Sequence, residues 1–311
     1  MEVYQTFRAN GKLLLTSEYF IMDGARGLAF PTKLGQILDI HYEDKKNSQP
    51  FLSWKAFDYD QRLWIEAKFD LDGFDLKGDA VGPVTYLQNS LKAVRSLNPQ
   101  FLKGNKDIQV ETRLEFAKDW GLGSSSTLIS LIAQWAEVDV FELYKLVSNG
   151  SGYDVACAMS ETPILFNKEE DKLNIQTCSF SPVFQENLYF VYLNQKQDTL
   201  QSIQKYKSIK RSKDKIIKQL NNITDQVISC QNLSNFEALL SEHEDIISNY
   251  LDISKVRDLY FIDYWGSIKF LGAWGGDFVL ATSDKSLEET KEYFDYKGYK
   301  KFFQFNEIII Q

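Results

Sequence analysis

A glycine-rich segment between a predicted strand and a predicted helix constrains the fold of this chain most strongly. The alternation from Ile108 to Phe116 predicts the strand, and the apolar run from Leu128 to Ala133 predicts the helix. Between them lies Asp119-Trp120-Gly121-Leu122-Gly123-Ser124-Ser125-Ser126-Thr127. Glycines let an anion approach the backbone, and the first N–H groups of a helix lack internal partners and carry partial positive charge. The segment predicts either a phosphate-binding loop or a well-capped helix after a glycine turn.

Composition excludes several classes of protein. The 311 residues are 44% hydrophobic and 14% aromatic, which is typical of a folded chain of one large or two ordinary domains. No apolar run is long enough to span a membrane, and the N-terminus has no secretory pattern, so we expect a cytoplasmic protein without membrane association. The net charge of −8 argues against a nucleic-acid binder, although it is compatible with ATP.

Residue types that bind transition metals are few and scattered. Cys157, Cys178 and Cys230 form no Cys-x-x-Cys pair, which fits a reducing compartment and gives no zinc pattern. His41 and His243 are too isolated for a histidine-based metal site. The charged residues around His243 predict that its side chain is exposed.

Hydrophobic periodicity predicts a mixture of strands and helices. A polar stretch over 167–174 is the candidate domain boundary, and the basic run from Lys205 to Lys213 predicts the solvated face of an amphipathic helix. We expect strands over 12–21, 36–42, 51–57, 63–69, 188–193 and near 301–309, with a loop and then a strand over 269–282. We expect helices over 84–97, 140–147, 199–230 and 235–251 and from Ser286.

Three further segments accompany the glycine loop and raise its specificity. They are Gly11-Lys12-Leu13-Leu14-Leu15-Thr16-Ser17-Glu18-Tyr19, Gly150-Ser151-Gly152-Tyr153-Asp154-Val155-Ala156 and Leu271-Gly272-Ala273-Trp274-Gly275-Gly276-Asp277. In this order and combination the chain resembles the GHMP kinase superfamily over essentially its whole length. The first and last segments look most like phosphomevalonate kinase. The Gly-Tyr-Asp-Val-Ala segment looks like a bacterial subgroup described as mevalonate-kinase-like.

The resemblance implies an α+β, two-domain GHMP kinase fold. It implies an N-terminal nucleotide-binding α/β domain over 1–170, a C-terminal ferredoxin-like domain over 171–311, and an active site between them. It also implies ATP and Mg²⁺ as cofactors and a small-molecule substrate. A monomer or a homodimer is compatible with the sequence.

The resemblance assigns Lys12 and Asp154 as the catalytic pair. Phosphoryl transfer needs a cation against the charge of the γ-phosphoryl group, and Lys12 supplies one. A carboxylate such as Asp154 accepts the proton of the acceptor hydroxyl or orients it. The simpler interpretations are a surface lysine and a turn aspartate that caps a helix. Glu18 and Ser125 match magnesium ligands, the alternatives being a strand-end carboxylate and a helix-cap serine.

The remaining site residues are also implied by the resemblance. The cofactor-binding residues are Gly121, Leu122, Gly123, Ser124, Ser125 and Ser126. The substrate-binding residues are Tyr19, Lys196, Thr199, Gly272, Trp274, Gly275, Gly276 and Asp277. The local match at Lys196 and Thr199 is poor, and the role of Asp277 is the least defined.

The chain departs from the family pattern at three places. Trp274 stands where glycine is usual, and its indole would narrow the acceptor pocket, stack on a ligand or pack between domains. Leu271 stands where a hydroxyl residue is common. The segment from Trp135 to Gly150 is shorter than in most relatives, so part of the usual substrate wall is missing.

The leading hypothesis is an ATP-dependent kinase that phosphorylates mevalonate or phosphomevalonate in isoprenoid precursor synthesis. For a phosphorylated acceptor, Lys196, Lys205 and Lys207 are candidate contacts. The alternatives are a homoserine or sugar kinase, a diphosphomevalonate decarboxylase and a non-catalytic regulator with the same fold. Lys12 argues against the decarboxylase, and the presence of the proposed catalytic and metal-binding residues argues against the regulator.

Overall fold

The computed structural model describes residues 3–44, 49–78, 82–169, 172–195, 199–272, 274 and 277–311. The chain divides into two compact units that are discontinuous in sequence. The first unit contains residues 1–11, 34–118 and 122–159, and the second contains 12–33, 119–121 and 160–311. The division at residue 170 stays a prediction. No helix of the described part is both long and apolar enough to cross a membrane.

The first unit packs helices on a mixed sheet. Strands β1 (Val3–Leu14) and β2 (Gly27–Asp44) contribute to both units, whereas β3 (Phe51–Phe57), β4 (Leu63–Asp70) and β5 (Lys106–Leu114) belong to the first. β3 pairs antiparallel with β4 and parallel with β5, and β5 pairs antiparallel with β2. The helices are α1 (Gly82–Leu97), α2 (Ser124–Ala136), α3 (Val140–Val147) and α4 (Tyr153–Ala158).

The core of the first unit follows the predicted alternation. Leu52, Trp54 and Ala56 are buried on one face of β3, as a period of two residues requires. The ring of Trp54 lies 6.4 Å from that of Trp135 on α2. The predicted hairpin of β3 and β4 and the predicted helix α3 are confirmed.

The second unit contains a four-stranded antiparallel sheet in the order β11-β8-β10-β9. Its strands are β8 (Leu188–Tyr192), β9 (Ile268–Phe270), β10 (Phe278–Thr282) and β11 (Phe302–Gln304). With helices before β9 and before β11, this is the β-α-β-β-α-β arrangement of a ferredoxin-like fold. The helices are α5 (Thr199–Ser208), α6 (Asp214–Ser229), α7 (Leu233–Leu251), α8 (Val256–Tyr260), α9 (Leu287–Tyr296) and α10 (Phe305–Ile308). Strands β6 (Ile164–Glu169) and β7 (Lys172–Thr177) pair with each other, and β6 pairs with the first residues of β2.

Three predicted elements differ in the structure. The helix predicted over 199–230 is interrupted between α5 and α6, where Lys213 Nζ donates to Asp23 Oδ2 at 2.8 Å and lies over the ring of Tyr206. The strand predicted over 12–21 stops at Leu14, and a 3-10 helix spans Phe20–Asp23. The last predicted strand is only β11, because the buried residues after it have helical spacing and a capping box begins α10.

Candidate active site

The glycine loop has the backbone geometry that its sequence predicts. Gly121 has φ of +70° and Gly123 has φ of +94°, in the left-handed region that favours glycine. Gly123 is the N-cap of α2 and supplies no side chain to cap it. The loop therefore leads from β5 into a helix N-terminus whose first amides have no partner within the helix.

The polar side chains of the loop are not equivalent. Ser126 is buried, and its hydroxyl donates to the carbonyl of Gly123 at 2.8 Å. Ser125 is exposed at the start of α2. Leu122 is fully buried, so its side chain anchors the loop. Of these two serines, Ser125 is therefore the one whose side chain is open to solvent.

Lys12 reaches the glycine loop from β1. It is half-buried, and its Nζ donates to the carbonyl oxygen of Gly121 at 2.7 Å. A methyl group on the Cα of Gly121 would overlap the carboxylate of Asp277. Asp277 has φ of +57°, and its N–H donates to the carbonyl of Gln195 at 2.7 Å. Residues of three sequence segments, namely Lys12, Gly121 and Asp277, are thus brought together within the second unit.

Tyr19 and Trp274 also meet in the second unit. The backbone N–H of Trp274 donates to the hydroxyl of Tyr19 at 3.0 Å, and the ring of Tyr19 stacks on Tyr206. Burial raises the pKa of Tyr19, so its hydroxyl stays neutral and accepts this bond. The indole of Trp274 is buried against the ring of Phe270, 5.2 Å away. Trp274 therefore packs in the core of the second unit.

Asp154 lies in the first unit at the start of α4, after Gly152, which has φ of +93°. The hydroxyl of Tyr144 lies 3.5 Å from Oδ2 of Asp154. Gly150 leaves room for this hydroxyl, because a methyl group at Gly150 would overlap it. Burial and the charge of Asp154 raise the pKa of both Tyr144 and Tyr86. Both phenols stay protonated, so Tyr144 acts as a donor toward the carboxylate.

Glu18 is buried in a cluster of charged and polar side chains. We define the Lys269 cluster as Glu18, His243, Glu244 and Lys269, whose side chains are all at most 3% exposed. Lys269 Nζ donates to Glu18 Oε1 and to the carbonyl of Phe270, and it lies 3.7 Å from Glu244 Oε1. His243 Nε2 accepts the N–H of Ser17 at 2.8 Å and lies 3.3 Å from Glu18 Oε2. The cluster occupies the interior of the second unit.

Burial dominates the acid–base properties of the Lys269 cluster. Burial raises the pKa of Glu18 to about 7 and that of Glu244 to about 8, while the nearby Lys269 opposes both shifts. Burial, with the charge of Lys269, lowers the pKa of His243 far below its usual value. His243 is therefore neutral, which agrees with Nε2 acting as an acceptor.

The sequence interpretation missed this cluster, and the exposure predicted for His243 is wrong. His243 is fully buried because it lies on the inward stripe of α7 with Phe236, Leu240 and Ile247. The spacing of that stripe was a usable signal. Lys269 lies between two apolar residues of β9, which also indicated burial.

Several predicted site residues stay predictions. Lys196, Gly275 and Gly276 lie outside the described residues, and Thr199 is described only as the first residue of α5. Gly272 is half-buried with φ of +74°. The catalytic pairing of Lys12 with Asp154 and the metal-binding roles of Glu18 and Ser125 also stay predictions.

Comparisons with known proteins identify the fold. No family model matches the sequence, and no curated protein matches it. Mevalonate kinase from Methanococcus jannaschii matches the structure with a TM-score of 0.73 at 16% identity, over 99% of each chain. Phosphomevalonate kinase from Streptococcus pneumoniae, with phosphomevalonate and AMPPNP, matches with a TM-score of 0.71 at 14% identity, over 96% of this chain and 99% of that chain.

A third solved structure extends the comparison to sugars. Galactokinase from Lactococcus lactis, complexed with galactose, matches with a TM-score of 0.71 at 14% identity, over 99% of this chain and 93% of that chain. At these identities the matches establish the arrangement of the backbone. The two-unit α+β architecture and the full-length matches show that the chain has the GHMP kinase fold.

Proposed function

We propose that this protein is an ATP-dependent kinase of a small metabolite, with mevalonate or phosphomevalonate as the first acceptors to test. The observation that carries the proposal is the contact of Lys12 with Gly121. It places an ammonium group directly on the backbone of the glycine loop. A cation at that position is what phosphoryl transfer requires, since negative charge accumulates on the transferred group.

The proposed reaction divides the work between three residues and one helix end. The amides at the start of α2 hold phosphate oxygens, and Lys12 offsets the charge on the γ-phosphoryl group. Asp154 accepts the proton of the acceptor hydroxyl on a carboxylate oxygen as that hydroxyl oxygen bonds to phosphorus and ADP leaves. The Tyr144 hydroxyl orients the carboxylate, because it remains a donor at neutral pH.

Magnesium would enter with the phosphates of the nucleotide and neutralise part of their charge. Ser125 fits this ion, since its hydroxyl is exposed at the start of α2. Glu18 does not fit, because Lys269 already binds its buried carboxylate. Within the described ranges, no group of three or more His, Cys, Asp or Glu side chains is arranged to hold a metal ion. Ser125 is therefore the protein ligand that we propose for this ion.

Sequence motifs and structural relatives point to different acceptors. The motif resemblance favours the mevalonate branch, while the fold is shared with a galactokinase. Lys205 and Lys207 are exposed on α5 and are candidate contacts for a phosphorylated acceptor. Sugars and homoserine therefore belong in the same assay as mevalonate and phosphomevalonate.

The test measures phosphorylated product from ATP and Mg²⁺ with each of these acceptors, using Asp154→Asn as the control. We expect one acceptor to be phosphorylated by the wild-type protein and far less by the variant. Turnover that is unchanged in Asp154→Asn contradicts the role of Asp154. Nucleotide binding without phosphorylation of any acceptor favours the non-catalytic alternative.

A further inference from the structure

The segment from Ser17 to Tyr19 has an unusual backbone that neighbouring groups hold in place. Ser17 has φ of +66° and Tyr19 has φ of +62°, a conformation that side-chain-bearing residues rarely adopt. Such strain persists only where the surroundings fix it, and it is frequent at functional sites. The segment follows Lys12 by only a few residues.

Every residue of this segment has an anchor in the second unit. The Ser17 hydroxyl donates to the carbonyl of Arg26 at 2.7 Å, and its N–H donates to His243. Lys269 binds the carboxylate of Glu18. The hydroxyl of Tyr19 accepts the N–H of Trp274. The anchors connect the strained segment to α7 and to the residues that follow β9.

Lys269 is the central group of these anchors. A buried ammonium group is unfavourable unless it is paired and hydrogen-bonded. Lys269 is fully buried, yet it binds Glu18 and the carbonyl of Phe270, and Glu244 lies nearby. Phe270 is the last residue of β9, directly before the glycine segment that contains Gly272 and Trp274. One side chain thus links the first kinase-like segment to the strand that directly precedes the third.

We propose that Lys269 is a positioning residue whose ion pair with Glu18 fixes the strained segment and the Tyr19–Trp274 contact, and that Glu18 serves this pair instead of a metal ion. This inference rests on the proposed kinase function for its kinetic consequences. The structural contact itself does not depend on that function.

The surroundings of Glu18 argue against metal ligation. An ammonium group already lies on Oε1, and it would repel a divalent cation at the same carboxylate. Oε2 lies against His243 Nε2, whose lone pair is used by the N–H of Ser17. The carboxylate is 1% exposed, so solvent water is not at hand to complete a magnesium shell.

The test compares Lys269→Met, Glu18→Gln and the double variant with the wild-type protein. Lys269→Met keeps an unbranched side chain and removes the ammonium group and its charge. We expect the acceptor KM of Lys269→Met to rise about tenfold with a smaller change in ATP KM, as release of a strained segment permits. The double variant should recover part of this loss, because it no longer buries an unpaired carboxylate.

Magnesium dependence separates the two roles of Glu18. We expect the Mg²⁺ concentration for half-maximal activity to be unchanged in Glu18→Gln. This Mg²⁺ concentration should rise about tenfold or more if a metal site is damaged. Such a rise with an unchanged acceptor KM would show that Glu18 binds the metal, and it would overturn the proposal. A lower melting temperature with all kinetic constants unchanged would also overturn it, since Lys269 would then be merely structural.

Hydrogen exchange tests the contact without any activity. The amide of Trp274 should exchange faster in Lys269→Met, while amides of β3 in the first unit keep their protection. If Lys269→Met does not fold, the double variant removes both charges of the pair and keeps the Tyr19 hydroxyl that accepts the Trp274 N–H. Faster exchange at Trp274 in the double variant supports the proposal, and unchanged exchange contradicts it. If the wild-type protein phosphorylates nothing, the proposed function fails while this measurement still decides the role of the anchors.

Discussion

The two carboxylates of the kinase-like segments lie in opposite electrostatic environments. Asp154 in the first unit is half-buried at the start of a helix and faces a neutral phenol. Glu18 in the second unit is sealed in the interior against an ammonium group. A phenol orients a carboxylate and leaves it able to take a proton, whereas the ammonium group of Lys269 already occupies one oxygen of Glu18. The environment of each group, more than its residue type, indicates whether it reacts or supports.

The largest expected effect is the loss of turnover when the carboxylate of Asp154 is removed. We expect Asp154→Asn to lower kcat by about 10³-fold with little change in ATP affinity, because the amide cannot accept the acceptor's proton. The measurement is steady-state kinetics together with nucleotide binding by calorimetry. A comparable fall in ATP affinity would show that Asp154 binds the nucleotide. The contrast between a reactive Asp154 and a supporting Glu18 would then not hold.

The second prediction concerns the pH dependence of stability in the Lys269 cluster. Burial raises the pKa of Glu244 to about 8, above its value in the unfolded chain. The folded protein therefore holds a proton that the unfolded chain has lost. The stability gained from this proton is lost as pH rises from about 5 to 8. The groups facing Glu244 are Lys269, Glu18 and Lys255. One proton accounts for at most about 1.4 kcal/mol per pH unit.

The matched control for this prediction is Glu244→Gln, which cannot titrate at that position. Chemical denaturation at several pH values gives the unfolding free energy of both proteins. As pH rises, we expect the wild type to lose stability relative to Glu244→Gln. A difference that is constant with pH would show that Glu244 does not gain a proton on folding.

The third prediction sharpens the role assigned to the phenol beside Asp154. We expect Tyr144→Phe to lower kcat about tenfold and to move the acid limb of the pH profile upward, because the carboxylate loses a donor. Tyr86→Phe is the control, since the charge of Asp154 contributes to the raised pKa of Tyr86. Equal effects of the two variants would assign the change to packing.

The smallest expected effect is at Trp274. Its indole is buried against Phe270, so a change to glycine would remove much of the packing in this part of the core. Trp274→Phe keeps an aromatic ring, and we expect the acceptor KM to rise about threefold with ATP KM unchanged, as for a modest loss of contact area. Equal changes in both constants would contradict a role of Trp274 in the acceptor pocket.

The parts of the site that depend on local sequence were predictable. The left-handed glycines, the strand before the loop and the helix after it follow from short-range backbone preferences. The ferredoxin-like order of the C-terminal sheet was implied by the resemblance and is confirmed by the strand pairing. The interruption between α5 and α6 was missed, because the contact of Lys213 with Asp23 joins residues 190 positions apart in the chain.

The sequence alone determined that a glycine loop precedes a helix, that Lys12 and Asp154 stand in kinase-like segments, and that the chain alternates strands and helices. Only the tertiary structure decided that Lys12 binds the carbonyl of Gly121 and that Glu18 is held by Lys269, 251 positions later. The physical reason is desolvation: whether a carboxylate is reactive or structural depends on the charges and the solvent around it, and these come from distant parts of the chain.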